Sequence, residues 1–85
     1  MTVRTRVRVL AFARIAELLG KRDEELGLGP AARVEDAWSA LTERVPALAA
    51  LRSSTRAARN GRIAAFDEPL ADGDEVAFLP PVGGG

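Results

Sequence analysis

Across residues 3–12 the chain alternates strictly. Val3, Thr5, Val7, Val9 and Ala11 fall on one side, and Arg4, Arg6, Arg8, Leu10 and Phe12 on the other. A period of two is that of a β-strand. The odd-numbered side is predicted to face a core. The even-numbered side begins as three solvated arginines and turns apolar at Leu10 and Phe12. A short helical pattern follows over residues 13–19, with Ile15, Leu18 and Leu19 on one stripe and Gly20 placed as the C-terminal cap. Residues 21–25 make a polar connection, residues 25–28 read as a brief edge strand paired back onto the first, and Gly29-Pro30 breaks the chain.

Val34, Ala37, Trp38, Leu41 and Val45 then recur at helical spacing, predicting the main amphipathic helix. Glu35 and Asp36 suit its positive end, and Pro46 closes it. Trp38 at this spacing is expected to be a core anchor, because large aromatics dominate core burial. Residues 48–51 add a helical turn, and residues 52–56 read as a polar loop. Residues 57–59 and 63–66 read as two short strands around Asn60-Gly61, a tight-turn dipeptide. Asp72-Gly73-Asp74 makes another turn before a last strand over residues 75–79. Pro80 and Pro81 cannot donate to a ladder, so the sheet should stop at Leu79. Runs of strand around one principal helix predict an α+β fold, a single mixed sheet packed on that helix.

Residues 1–79 thus read as one domain, and residues 80–85 as a flexible protruding tail. Two prolines favour a stiff extended path, and six residues reach roughly 20 Å at about 3.3 Å each. Gly83, Gly84 and Gly85 contribute nothing to a core and are costly to order. One reading is a frayed end with idle glycines. The other is a tail that threads a narrow channel and presents the carboxylate of Gly85.

Composition narrows the chemistry. Twelve basic and twelve acidic residues balance, so nothing argues for nucleic acid or an anionic membrane as partner. No apolar run approaches the roughly 18 residues that span a bilayer, and the first residues lack the layout of a signal peptide, so a cytoplasmic location is expected. There is no Cys and no His, which excludes thiol nucleophiles, disulfides and the usual zinc sites; no metal site is expected. The carboxylates are scattered at predicted turns and helix starts, where solvated acids are ordinary. No acid/base pair emerges, which argues against a free-standing enzyme.

Two stretches carry a resemblance. Val9-Leu10-Ala11-Phe12-Ala13-Arg14-Ile15-Ala16-Glu17-Leu18-Leu19-Gly20 resembles the opening of the small, sulfur-carrier subunits of molybdopterin synthase, a ubiquitin-related family. Asn60-Gly61-Arg62-Ile63 resembles their closing half, as does the run from Asp67 through Leu70-Ala71-Asp72-Gly73-Asp74-Glu75-Val76 to Pro80-Pro81-Val82 and a terminal diglycine. Arg59 stands where the family usually has Val, and Gly83 where it commonly has Ser, Thr or Ala.

The resemblance implies the β-grasp, ubiquitin-like fold and a carrier whose sulfur rides on Gly85 as a thiocarboxylate. An adenylating enzyme of the ubiquitin-activating, E1-like type would use ATP and magnesium to activate the terminal carboxylate, with no cofactor held by this chain. A sulfurtransferase or persulfide donor would then displace AMP. The tail would enter the large synthase subunit and give sulfur to the pterin precursor. Gly84 and Gly85 would be the reacting end, and Phe12, Ile63, Leu79, Pro80, Pro81, Val82 and Gly83 the partner contacts. Two alternatives use the same end: a sulfur carrier for another pathway, and a protein modifier joined to lysines through Gly85. A third is a non-covalent interaction module.

Overall fold

The computed structural model describes residues 4–81. The expected tail glycines Gly83, Gly84 and Gly85, together with Val82 and the first strand residue Val3, lie outside those residues. Five strands and two helices follow in the order β1 (Thr5–Ala11), α1 (Ala13–Leu19), β2 (Asp23–Leu28), α2 (Val34–Arg44), a 3-10 helix (Pro46–Ser54), β3 (Arg56–Arg59), β4 (Arg62–Ala64) and β5 (Glu75–Leu79). The strands form one mixed sheet in the order β2-β1-β5-β3-β4. β1 and β5 run parallel at its centre, and the other pairings are antiparallel. This is the β-grasp arrangement, with α2 lying across one face.

The alternation in β1 does what its period requires. Thr5, Val7, Val9 and Ala11 are buried, while Arg6 and Arg8 face solvent. Val76 and Phe78 of β5 and Val34, Ala37, Trp38 and Leu41 of α2 complete the core. Trp38 meets Phe78 edge-on at 5.0 Å between ring centroids and Phe66 at 6.3 Å. The anchor role expected of it holds. Gly20 caps α1 in the left-handed region (φ 79), where its N–H donates to the Ala16 carbonyl at 2.9 Å.

Four boundaries differ from the sequence reading, each for a physical reason. β2 begins at Asp23, two residues early, because its ladder with β1 runs on to Leu10, and Arg8 holds the Asp23 carboxylate and Arg44 of α2 holds Glu24. The polar loop expected over residues 52–56 is instead the end of the 3-10 helix followed by the start of β3. Leu48 and Leu51 lie three apart, which suits three residues per turn, and Leu48 is fully buried. β4 stops at Ala64 rather than running to residue 66. From Ala65 the chain crosses to the start of α2, where the Phe66 and Glu68 carbonyls accept the Glu35 and Val34 N–H groups at 2.7 and 3.0 Å. Those donors have no partner inside the helix. Finally, Phe12 is the N-cap of α1 rather than a strand residue.

Candidate functional site

β5 is the strand that leads to the tail, and it is held on both sides. Ala11 lies opposite Phe78 in the parallel ladder with β1, and Arg56 opposite Leu79 in the antiparallel ladder with β3. The sheet ends at Leu79, as the prolines require. Pro80 and Pro81 are exposed and line a shallow groove with Phe12, Ile15, Leu51 and Thr55. The extended Phe12 (φ −134, ψ 156) is followed directly by Ala13 in the left-handed region (φ 51). That turn starts α1 within one residue and leaves Phe12 43% exposed at the groove's rim.

The face of the sheet away from α2 is divided. Glu25, Arg8 and Glu75 make a charged row across β2, β1 and β5. The next row toward the tail is apolar: Leu10 pairs with Ala77, Ala77 with Ala58, and Ala58 with Ile63. Four strands at about 4.8 Å spacing make that row roughly 14 Å long. Leu10 and Ala77 are half-buried, and Ile63 is 66% exposed at the sheet edge. Leu79, half-buried, continues the apolar surface on β5 toward Pro80. Among the described residues Phe12 and Ile63 are the exposed large hydrophobics. An apolar row that stays partly exposed on a sheet face usually marks a binding surface.

Of the residues singled out from the sequence, Phe12, Pro80 and Pro81 share one groove, while Leu79 and Ile63 lie on the apolar outer face. Val82, Gly83, Gly84 and Gly85 fall outside the described residues. Ala58 was missed, although alternation puts it on the side opposite Ala57 and the Asn60-Gly61 turn sets it across from Ile63. Leu51 of the groove wall lies in the 3-10 helix and Thr55 is its C-cap; in the sequence they fall in a helical turn and a polar loop, neither of which marks a site.

The other end of β5 is fixed by a polar cluster. Asp74 is 8% exposed, so it is not the solvated turn acid expected from its place in Asp72-Gly73-Asp74. It accepts from Arg59 Nε at 2.6 Å, Asn60 Nδ2 at 2.9 Å and the Ala71 N–H at 2.7 Å. Burial opposes its charge, but the Ala71, Asn60 and Arg59 donors outweigh that and hold its carboxyl below the ordinary value. Asn60 closes the link by accepting the Glu75 N–H at 2.9 Å. Arg44 likewise lowers the Glu24 carboxyl. These are structural clamps. Among the described residues no group of three His, Cys, Asp or Glu side chains is placed to hold a metal, and no helix is long and apolar enough to cross a membrane.

Residues 9–85 match the model of the ThiS family. The chain is 40% identical over 80 residues to the molybdopterin synthase sulfur carrier subunit of Escherichia coli, covering 93% of this chain and 99% of that protein. It is 39% identical over 82 residues to small archaeal modifier protein 1 of Haloferax volcanii, covering 87% and 94%. In three dimensions it is similar to a solved structure from Pyrococcus furiosus described as a putative molybdopterin converting factor subunit 1. The TM-score is 0.83 at 34% identity, over 92% of this chain and 99% of that one.

Proposed function

The chain belongs to the ThiS family, and from that membership we propose that it is the sulfur-carrier subunit of a molybdopterin synthase. Sulfur rides as a thiocarboxylate on Gly85, and Gly84 leaves the carbonyl unhindered. One observation carries the reading. The family match extends through residue 85, so it includes Gly84-Gly85, and it reaches the sulfur carrier of E. coli over 99% of that protein's length.

The chemistry agrees with what this chain lacks. The family's chemistry places sulfur on the backbone terminus and takes activation from partners, and it needs neither the Cys nor the His that this chain lacks. Adenylation by an E1-like enzyme, with ATP and magnesium, turns a poor leaving oxygen into AMP. The terminal sulfur of a donor persulfide then attacks the Gly85 carbonyl carbon, and AMP leaves with the C–O electron pair. A second thiol on the donor reduces the resulting acyl disulfide, which frees the thiocarboxylate and leaves a disulfide on the donor. The domain's own part is to hold the root of the tail and to bind. The parallel β1–β5 pair fixes where the chain leaves the sheet, and Pro80 and Pro81 give its exit a stiff extended path. The row from Leu10 to Ile63, with Phe12 and Leu79, offers the apolar surface for a large synthase subunit. Val82 and Gly83 pass into its channel.

Removing Gly85 tests this in a reconstituted synthase. Sulfur transfer is abolished while the fold stays native; transfer at the intact rate would refute the reading. A second reading, a modifier joined to lysines through Gly85, is favoured by the 39% identity to small archaeal modifier protein 1. It uses the same adenylate.

A further inference from the structure

Eleven of the twelve basic residues are arginine, and Lys21 is the one lysine. A guanidinium that stays protonated is no nucleophile, whereas a lysine amine becomes one once it loses its proton. Lys21 is therefore the one side chain here able to accept an acyl group as an isopeptide.

The structure presents it for that role. Lys21 is exposed in the turn between α1 and β2, and both neighbours are pinned. Gly20 donates to the Ala16 carbonyl at 2.9 Å, and the Arg22 carbonyl accepts the Ala11 N–H at 2.9 Å. None of the ion pairs among the described residues involves Lys21. Its side chain lines a groove with Ala13, Ala16, Glu17 and Gly20. That groove shares Ala13 and Arg22 with a second one bordered by Phe12, and Phe12 also borders the groove of Pro80 and Pro81. A continuous run of surface thus joins the root of the tail to the lysine.

We infer that Lys21 is an acceptor site for the activated Gly85 carboxyl of this same kind of chain, either from a second copy or from its own tail. The inference rests on the adenylation of Gly85 proposed above. The neutral Lys21 amine adds to the Gly85 carbonyl carbon of the adenylate. The C–N bond forms, the C–O bond to AMP breaks, and AMP leaves with the electron pair. The amine's proton passes to water. No oxidant or reductant is needed, and the same adenylate otherwise takes sulfur.

The test incubates the full chain with its ATP-dependent adenylating enzyme, following pyrophosphate exchange and the masses of the products. Wild type is expected to yield a product lighter by one water than two copies, or than one copy if the ring closes. Fragmentation should place the link between Gly85 and Lys21 in either case. Lys21→Arg should keep the exchange rate and lose the product entirely. The inference is overturned if Lys21→Arg forms as much product, which would place the link on the N-terminal amine. It is equally overturned if wild type exchanges pyrophosphate and forms no link. Absence of exchange in wild type would overturn the adenylation step itself, and this inference with it.

Discussion

Ala11 stands directly opposite Phe78 in the parallel ladder of β1 and β5. The chain therefore leaves the first strand at Phe12 on the level where the last strand reaches Leu79. Phe12, Leu79, Pro80 and Pro81 gather around that level, and the row from Leu10 to Ile63 crosses the sheet two residues before it. The charged row of Arg8 and Glu75 lies further from the tail, and the buried Asp74 further still.

The first prediction concerns that surface. Burying one large apolar side chain contributes about 1.5–3 kcal/mol, and about 1.4 kcal/mol is tenfold in affinity. Phe12→Asp and Ile63→Asp should therefore each weaken binding to a large synthase subunit about tenfold or more. Both side chains are largely outside the core, so far-UV circular dichroism should stay native. Unchanged affinity in both variants by titration calorimetry would remove these residues from the interface.

Asp74→Ala should destabilise the domain by roughly 2–4 kcal/mol, because it leaves the Arg59, Asn60 and Ala71 donors without their shared acceptor. Urea unfolding followed by Trp38 fluorescence measures this. A loss within the few tenths typical of a surface change would show that the cluster holds nothing.

Acid stability follows from the same carboxyl. Its folded value lies below the ordinary 3.8, and that of Glu24 below 4.5. A lowered value means the contribution is complete above the ordinary one and is lost as pH falls through the lowered one. Wild type should thus lose stability as pH falls below 4.5, where the Glu24 contribution begins to go, and further below 3.8 with that of Asp74. Asp74→Ala should show a shallower acid limb in melts at a series of pH values.

Gly61→Val tests the turn that sets the β3–β4 register. Gly61 has φ 84 and nothing within 4 Å of an added Cβ, so any loss is conformational. Placing a β-branched residue there should cost about 1–2 kcal/mol. An unchanged midpoint in urea would mean that the turn relaxes freely.

Strict alternation made β1 legible in the sequence, as did the stripe ending at Val45 for α2 and Asn60-Gly61 for the hairpin. Where tertiary contacts decide, the pattern fell silent. β2 gains Asp23 and Glu24 because its ladder with β1 runs on to Leu10, and Arg8 and Arg44 meet their side chains from other elements. Phe66 looks like a strand residue, yet its carbonyl caps α2 and its ring packs on Trp38. Asp74 looks like an ordinary turn acid until Arg59 closes over it. At the site, Phe12 and the two prolines stood out because apolar and proline residues there interrupt a polar or strand pattern. The small Ala58 and the 3-10 residue Leu51 gave no such signal.

The most direct measurement is the intact mass of the protein isolated from its own cells while they are making molybdopterin. The predicted result is a population heavier by the difference between one sulfur and one oxygen atom. Fragmentation should place that difference on Gly85, and it should vanish when Gly85 is deleted. Only unmodified carboxylate at Gly85 under those conditions would contradict the assignment of this chain as a sulfur carrier.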